Sequence, residues 1–209
     1  MPMKLLLIGA TGRTGRLIAD ALLREPDVEL TALVRRSGHV LPGAKVLQAD
    51  LAGDFSTAFQ GITHVIYAAG SVETDTEIEE EQIDRDAVAR SAEYAKVHHV
   101  EKLLVISALS AYWPERSIES LRHYSQMKRE GDDLVMASGV DYVILRPGML
   151  SDGPAAGTIG VTDTRIEDAP PVSREDVAQT TIEAIKLGIS RRVIGFVGGN
   201  VPIRQALQR

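Results

Sequence analysis

Short runs of Val, Ile and Leu recur along the chain, separated by longer stretches whose apolar positions repeat at helical spacing. The runs at 3–8, 29–34, 45–48, 63–67, 102–106, 141–145 and 193–197 predict strands; the stretches at 14–24, 54–60, 77–98, 118–138 and 174–187 predict helices. Strands that are apolar at successive positions need cover on both faces. Their alternation with helices therefore predicts an α/β fold, a doubly wound parallel sheet with helices on both faces. Helix-end chemistry agrees: Gly139 stands where the fourth helix should stop, and Ser173-Arg174-Glu175-Asp176 resembles a capping box opening the fifth. No repeat or linker divides the chain, so residues 1–209 are expected to form one domain. The segment near 147–172 shows neither period, and irregular segments of that length are usually functional, which makes it the expected substrate-side loop.

Composition narrows the function. Acidic residues outnumber basic ones 29 to 23, for a net charge of -6, and no basic run could track a phosphodiester backbone, which argues against nucleic acid as a partner. With no Cys, disulfides, thiolate metal sites and cysteine nucleophiles are all removed, and no His/Asp/Glu spacing resembles a metal site. The N-terminal apolar run is too short for a signal sequence, and no stretch approaches the roughly 20 residues of a membrane span. A cytoplasmic protein acting on a small-molecule substrate, without a membrane partner, is expected. Monomer and homo-oligomer are equally compatible with the sequence.

The first strand runs straight into Gly9-Ala10-Thr11-Gly12-Arg13-Thr14-Gly15 and then a helix. A dinucleotide's pyrophosphate needs a tight turn, a backbone free of side chains where it approaches, and a helix N-terminus facing the anion. Gly9, Gly12 and Gly15 match those three needs, with Thr11, Arg13 and Thr14 completing the candidate contact set. An NAD site would place an acidic residue about 20 residues on to hold the ribose 2′-hydroxyl. Here the second strand ends in Val34-Arg35-Arg36-Ser37 instead, and guanidiniums suit a 2′-phosphate, so NADP(H) is expected over NAD(H), with Arg35 and Arg36 as its contacts.

These motifs, with Ala49-Asp50-Leu51 after the third strand, Ala68-Ala69-Gly70 after the fourth, Arg146-Pro147-Gly148 after the sixth and Gly198-Gly199-Asn200-Val201-Pro202-Ile203 near the end, run over almost the whole chain. In them the sequence resembles the atypical short-chain dehydrogenase/reductases, close to the NmrA-like and flavin- and biliverdin-reductase-like NAD(P)H-binding proteins. The resemblance implies a single Rossmann-type domain in which Asp50 and Leu51 frame the adenine, Ala68, Ala69 and Gly70 pass beside the ribose and pyrophosphate, and Pro147 also meets the cofactor.

Tyr124-Ser125-Gln126-Met127-Lys128 fits the YxxxK pattern of active members of that superfamily. Residues four apart share a helix face, and an ammonium beside a phenol is expected to lower its pKa toward proton-transfer chemistry. The resemblance implies that Lys128 also binds the nicotinamide ribose and that a serine after the fifth strand, Ser107 or Ser110, is the third partner, with Ser107 also near the cofactor. Leu109, Tyr112, Trp113, Met149 and Leu150 could floor a site for a flat substrate. The expected activity is hydride transfer to or from a small carbonyl, quinone or flavin-like substrate. The NmrA-like resemblance also allows a non-catalytic NADP(H) sensor. Three features carry no function: the acidic run Glu77-Ile78-Glu79-Glu80-Glu81 suits a solvated helix start, His123 is expected to be exposed, and Gly131 predicts close packing of its helix on a neighbour.

Overall fold

The computed structural model describes residues 2–72 and 74–208. Strand β1 (Met3–Ile8) leads to helix α1 (Arg13–Leu22), β2 (Val28–Val34), β3 (Lys45–Gln48), a 3-10 turn (Ser56–Phe59) and β4 (His64–Tyr67). Helix α2 (Glu77–Glu80) passes through a π-helical segment (Glu81–Asp86) into α3 (Ala87–Val97). Strand β5 (Lys102–Ile106) precedes two 3-10 turns (Leu109–Tyr112 and Pro114–Arg116), α4 (Glu119–Ala137) and β6 (Tyr142–Pro147). The chain ends with β7 (Leu150–Ser151), β8 (Thr158–Val161), β9 (Val172–Ser173), α5 (Arg174–Lys186), β10 (Arg192–Gly198), β11 (Val201–Pro202) and α6 (Ile203–Leu207).

The main sheet has the order β11-β8-β10-β6-β5-β4-β1-β2-β3, parallel from β10 to β3 and antiparallel where β8 meets β10 and β11. Strand β1 pairs with both β2 and β4, so the chain leaves it first toward one edge and then toward the other. That reversal opens a crevice beyond the carboxyl ends of β1 and β4, where Rossmann-type sheets take their ligands. Successive β1 side chains serve opposite cores. Leu5 and Leu7 pack with Ile18, Leu22 and Val177, beneath α1 and α5; Leu6 and Ile8 pack with Phe59, Val88 and Val135, beneath α3 and α4. This two-sided burial is the physical reason for the continuous apolar runs.

Three expectations need correction. The 54–60 stretch forms only the short 3-10 turn, and the 147–172 segment is not irregular throughout, because β7 and β9 pair with each other while β8 joins the main sheet. The 77–98 stretch is not one regular helix: its π-helical segment lies where α4 presses on it. A Cβ on Gly131 would lie 2.4 Å from the Asp84 carbonyl oxygen, so only glycine admits this approach. The expected close packing of Gly131 is therefore present, and it brings the π-segment against α4. Buried Tyr67 donates its phenolic proton to the Ile83 carbonyl at 2.6 Å, satisfying a polar backbone group in that segment.

Gly139 ends α4 as read, and the start of α5 shows the serine half of the expected capping box. Gly139 takes φ +87° just after α4, and Ser173 Oγ accepts from Asp176 N at 2.9 Å at the start of α5. Asp176 also accepts from Ala156 N at 3.0 Å and Gly157 N at 2.8 Å, pinning the preceding segment to that helix.

Candidate active site

A cavity of about 460 Å³ opens at the carboxyl ends of the central strands. Its lining includes Gly9, Thr11, Gly12, Arg13 and Thr14 after β1, Arg35 after β2, Asp50 and Leu51 after β3, Ala68, Ala69 and Gly70 after β4, Ser107 after β5, Pro147 at the end of β6, and Tyr124 and Lys128 from α4. Sheet topology thus brings together most of the residues singled out in sequence. Gly15 and Arg36 are not in the lining, and neither is Ser110.

The three glycines of the turn have separate duties. Gly9 has φ +90°, and a Cβ there would lie 2.5 Å from Ala69 N, so the turn is pressed against the end of β4. A Cβ on Gly15 would fall 2.0 Å from Gly9 O, which makes Gly15 the packing glycine beneath the turn rather than a cavity wall. A Cβ on Gly12 would meet only Gly9 O, at 3.4 Å, an ordinary contact. No side chain caps α1, and no acidic residue stands in its first turn. The first-turn amides and the positive end of the helix dipole therefore face an anion site without competition from a capping carboxylate. A cradle that a Cβ would fill, an uncapped helix start and a guanidinium at the end of β2 fit a dinucleotide.

The Asp50 turn is held from outside. Asp50 Oδ1 accepts from Ala52 N at 2.9 Å, and Arg90 of α3 donates to the carbonyls of Leu51 and Ala52, and to Gly53 O at 2.8 Å. Sequence reading missed Arg90, since a charged helix residue carries no sign that its partner is a loop backbone.

At the opposite end of the cavity lies a buried ionic network. Lys128 Nζ sits 2.9 Å from Asp84 Oδ1, with side chains 4% and 0% exposed. Asp84 Oδ2 accepts from Ser71 Oγ at 2.5 Å and from Ser71 N at 3.2 Å. The Lys128 ammonium also lies 5.6 Å from the centroid of the Tyr124 ring. Burial works against the Lys128 charge, but Asp84 and then the Tyr124 phenol outweigh it, and the net direction is upward, toward a persistent ammonium. For Tyr124 the balance reverses the sequence expectation. Burial is the larger influence and holds the phenol above its usual range, against the opposing pull of Lys128. Asp84, on the π-segment, was not foreseen, because the turn that aims it inward exists only where Gly131 admits the carbonyl of Asp84.

The serines separate. Ser107 is buried beside the cavity and donates to Asp132 Oδ2 at 2.6 Å; Arg146 Nε donates to the same oxygen at 2.8 Å. Its hydroxyl proton is thereby committed, and toward the cavity it can offer only a lone pair. Ser110 accepts from Ser125 Oγ at 2.8 Å, and Ser125 in turn accepts from Ser117. Of the proposed apolar floor, Leu150 lines the cavity; Leu109, Tyr112, Trp113 and Met149 do not. Tyr112 instead lies under the Arg146 guanidinium at 4.3 Å, and Met149 is exposed. His123 is half-buried rather than exposed. Its Nδ1 lies 2.6 Å from Glu80 Oε2, and that hydrogen bond raises its pKa. The acidic run is therefore in part a partner of α4, although its Thr76–Glu79 capping box matches the helix-start reading.

Among the described residues no helix is long and apolar enough to cross a membrane. Residues 9–187 match the model of a family described as NAD(P)H-binding. The chain is 30% identical to the Bacillus subtilis protein called uncharacterized sugar epimerase YhfK, with 99% of this chain and all of that protein covered. Among solved structures, a Bacillus halodurans protein provisionally designated an NAD-dependent epimerase/dehydratase is 28% identical, with a TM-score of 0.90 and 99% of each chain covered. The oxidoreductase ylbE of Lactococcus lactis, at 22% identity, TM-score 0.87, and 99% and 95% coverage, shares the fold. The chain belongs to the NAD(P)H-binding family.

Proposed function

We propose that this protein is an NADP(H)-dependent oxidoreductase that transfers a hydride to or from a small carbonyl, quinone or flavin-like substrate. The observation that carries the reading is Tyr124 at the cavity wall, held protonated by burial, beside a Lys128 kept charged by Asp84. Bound NADPH supplies the hydride. Tyr124 Oη supplies the proton: the phenol is protonated at neutral pH, and the Lys128 charge, which pulls its pKa down against burial, is what helps it give the proton up. Lys128, fixed by Asp84, stabilises the phenolate left behind and stands ready to hold the nicotinamide ribose. Ser107, its own proton given to Asp132, positions a donor group of the cofactor or substrate rather than polarising the carbonyl. Arg35 on the cavity wall, in a Val34-Arg35-Arg36-Ser37 stretch at the end of β2 that contains no acidic residue, supports the preference for a 2′-phosphate. The 147–172 segment, which contributes Leu150 to the lining, covers the substrate side.

The test is a screen of carbonyl, quinone and flavin acceptors for NADPH oxidation, followed by Tyr124→Phe. That variant is expected to lower turnover of a carbonyl about 100- to 10,000-fold while leaving the NADPH Kd within about twofold of wild type. An unchanged turnover removes Tyr124 as the acid and favours direct hydride transfer to a quinone or flavin. Binding without reduction of any acceptor favours the non-catalytic sensor.

A further inference from the structure

Arg174 was not singled out in sequence beyond its place in a capping box, yet it lines the cavity together with Arg13 of the glycine turn. It is the first residue of α5, and its side chain is 10% exposed. Its Nη1 donates to Asp152 Oδ1 at 2.6 Å, and the other oxygen of the same carboxylate, Oδ2, lies 3.4 Å from Arg13 Nη1. One carboxylate, 67% exposed and outside the cavity lining, thus bridges two guanidiniums that reach the mouth from α1 and α5. Arginine recognises carboxylate and phosphate with the same planar, charge-assisted geometry. The segment that presents Asp152 is anchored to α5: Ala155 N donates to Glu175, and Ala156 N and Gly157 N donate to Asp176.

We propose that Arg174 is a second arginine, with Arg13, for the diphosphate of the bound dinucleotide, and that Asp152 is an internal anion that occupies this site until the cofactor displaces it. Releasing Asp152 costs little on the Arg13 side, where both partners are exposed, since exposed ion pairs contribute little. The carboxylate re-enters solvent as the diphosphate takes both guanidiniums. Asp152 therefore sets a threshold on cofactor affinity. This inference rests on the cofactor part of the proposed function and not on the proton transfer assigned to Tyr124.

Fluorescence titrations with NADPH and, separately, NADH test it on purified wild type, Asp152→Asn, Arg174→Gln and the double variant. Asp152→Asn is expected to tighten both dinucleotides by roughly threefold or more and by the same factor, because the diphosphate is common to them. Arg174→Gln is expected to weaken both about tenfold, and Asp152→Asn in that background to gain less than about twofold. Glu167→Gln, the loss of another exposed acid on the same segment but outside the lining, should leave both Kd values within about twofold. An unchanged or weakened affinity in Asp152→Asn overturns the proposal, as does a change confined to NADPH, which would move the cluster to the 2′-phosphate. Should Arg174→Gln fail to fold, Asp152→Asn at an exposed position decides alone. A wild type that binds neither dinucleotide overturns this inference together with the cofactor reading; binding without any acceptor reduced removes only the proton-transfer reading.

Discussion

The two ends of the cavity are built from different materials. At the phosphate end the walls are backbone: a glycine turn, an uncapped helix start and short loops carrying exposed charges such as Arg35 and Arg13. At the Tyr124 end the wall residues Lys128 and Ser107 are backed by buried charged side chains that are paired, Asp84 with Lys128 and Asp132 with Arg146. A backbone site is set by local chain geometry, and solvent shares the work of solvating its charges. A buried ionic site has no such help, so each partner must be supplied by another element, here α4 against the π-segment and α4 against β6. Mutations of the exposed charges at the first end should therefore change affinity and leave folding alone, whereas mutations of the buried pairs at the second should cost stability.

The sharpest break of that comparison is Asp84→Asn. It leaves the Lys128 ammonium buried without its carboxylate, and removing one partner of a buried pair typically costs about 3–5 kcal/mol. Urea unfolding at neutral pH should show a loss of that size, and the paired replacement Asp84→Leu with Lys128→Met should recover most of it without restoring carbonyl reduction. A small loss from Asp84→Asn would mean that solvent reaches this end too.

Gly131→Ala comes next. The added Cβ meets the Asp84 carbonyl at 2.4 Å, and overpacking of this kind costs about 1–3 kcal/mol, set against the ~1 kcal/mol that Ala gains over Gly in a helix. A net loss in unfolding free energy is expected. A net gain would show that the π-segment shifts without strain and that Gly131 does not hold Asp84 in place.

At the phosphate end, Arg35→Ala should leave unfolding free energy within about 0.5 kcal/mol of wild type, as for most exposed positions. Parallel titrations should show a preference of tenfold or more for NADPH over NADH in wild type, about 1.4 kcal/mol, and its collapse in the variant. Equal binding of the two dinucleotides by wild type would reduce Arg35 to a surface charge.

The smallest effect belongs to His123, half-buried between the two regimes. The Glu80 hydrogen bond raises its folded pKa above 6.5, so its stabilisation is fully present below about pH 6.5 and is lost as pH rises through the folded value. The melting temperature of His123→Gln should therefore fall further below wild type at pH 6 than at pH 9. A gap of equal size at both pH values would show that the Glu80 contact does not depend on imidazole charge.

Much of this protein was legible along the chain because its signals are local. The apolar runs gave the boundaries of β1 and β3 directly, and glycine spacing after β1 announced an anion turn, since tight turns and uncapped helix starts depend on a few neighbouring residues. Helix spacing placed Tyr124 and Lys128 on one face, and a glycine inside that helix foretold the close contact at Gly131. What it did not foresee depends on partners distant in sequence. Asp84, Arg90 and Arg174 are ordinary charged residues until the fold sets a lysine, a loop backbone or a cavity mouth against them. The Tyr124 phenol shows the same division. Sequence supplied its neighbour Lys128, whose charge pulls the pKa down, but only the packing of helices on the sheet decided how much water the ring loses, and desolvation governs the sign. Sequence by itself determined the order of elements and the chemistry on offer; tertiary structure decided which charges are buried and paired, because the cost of removing a charge from water is a property of everything around it.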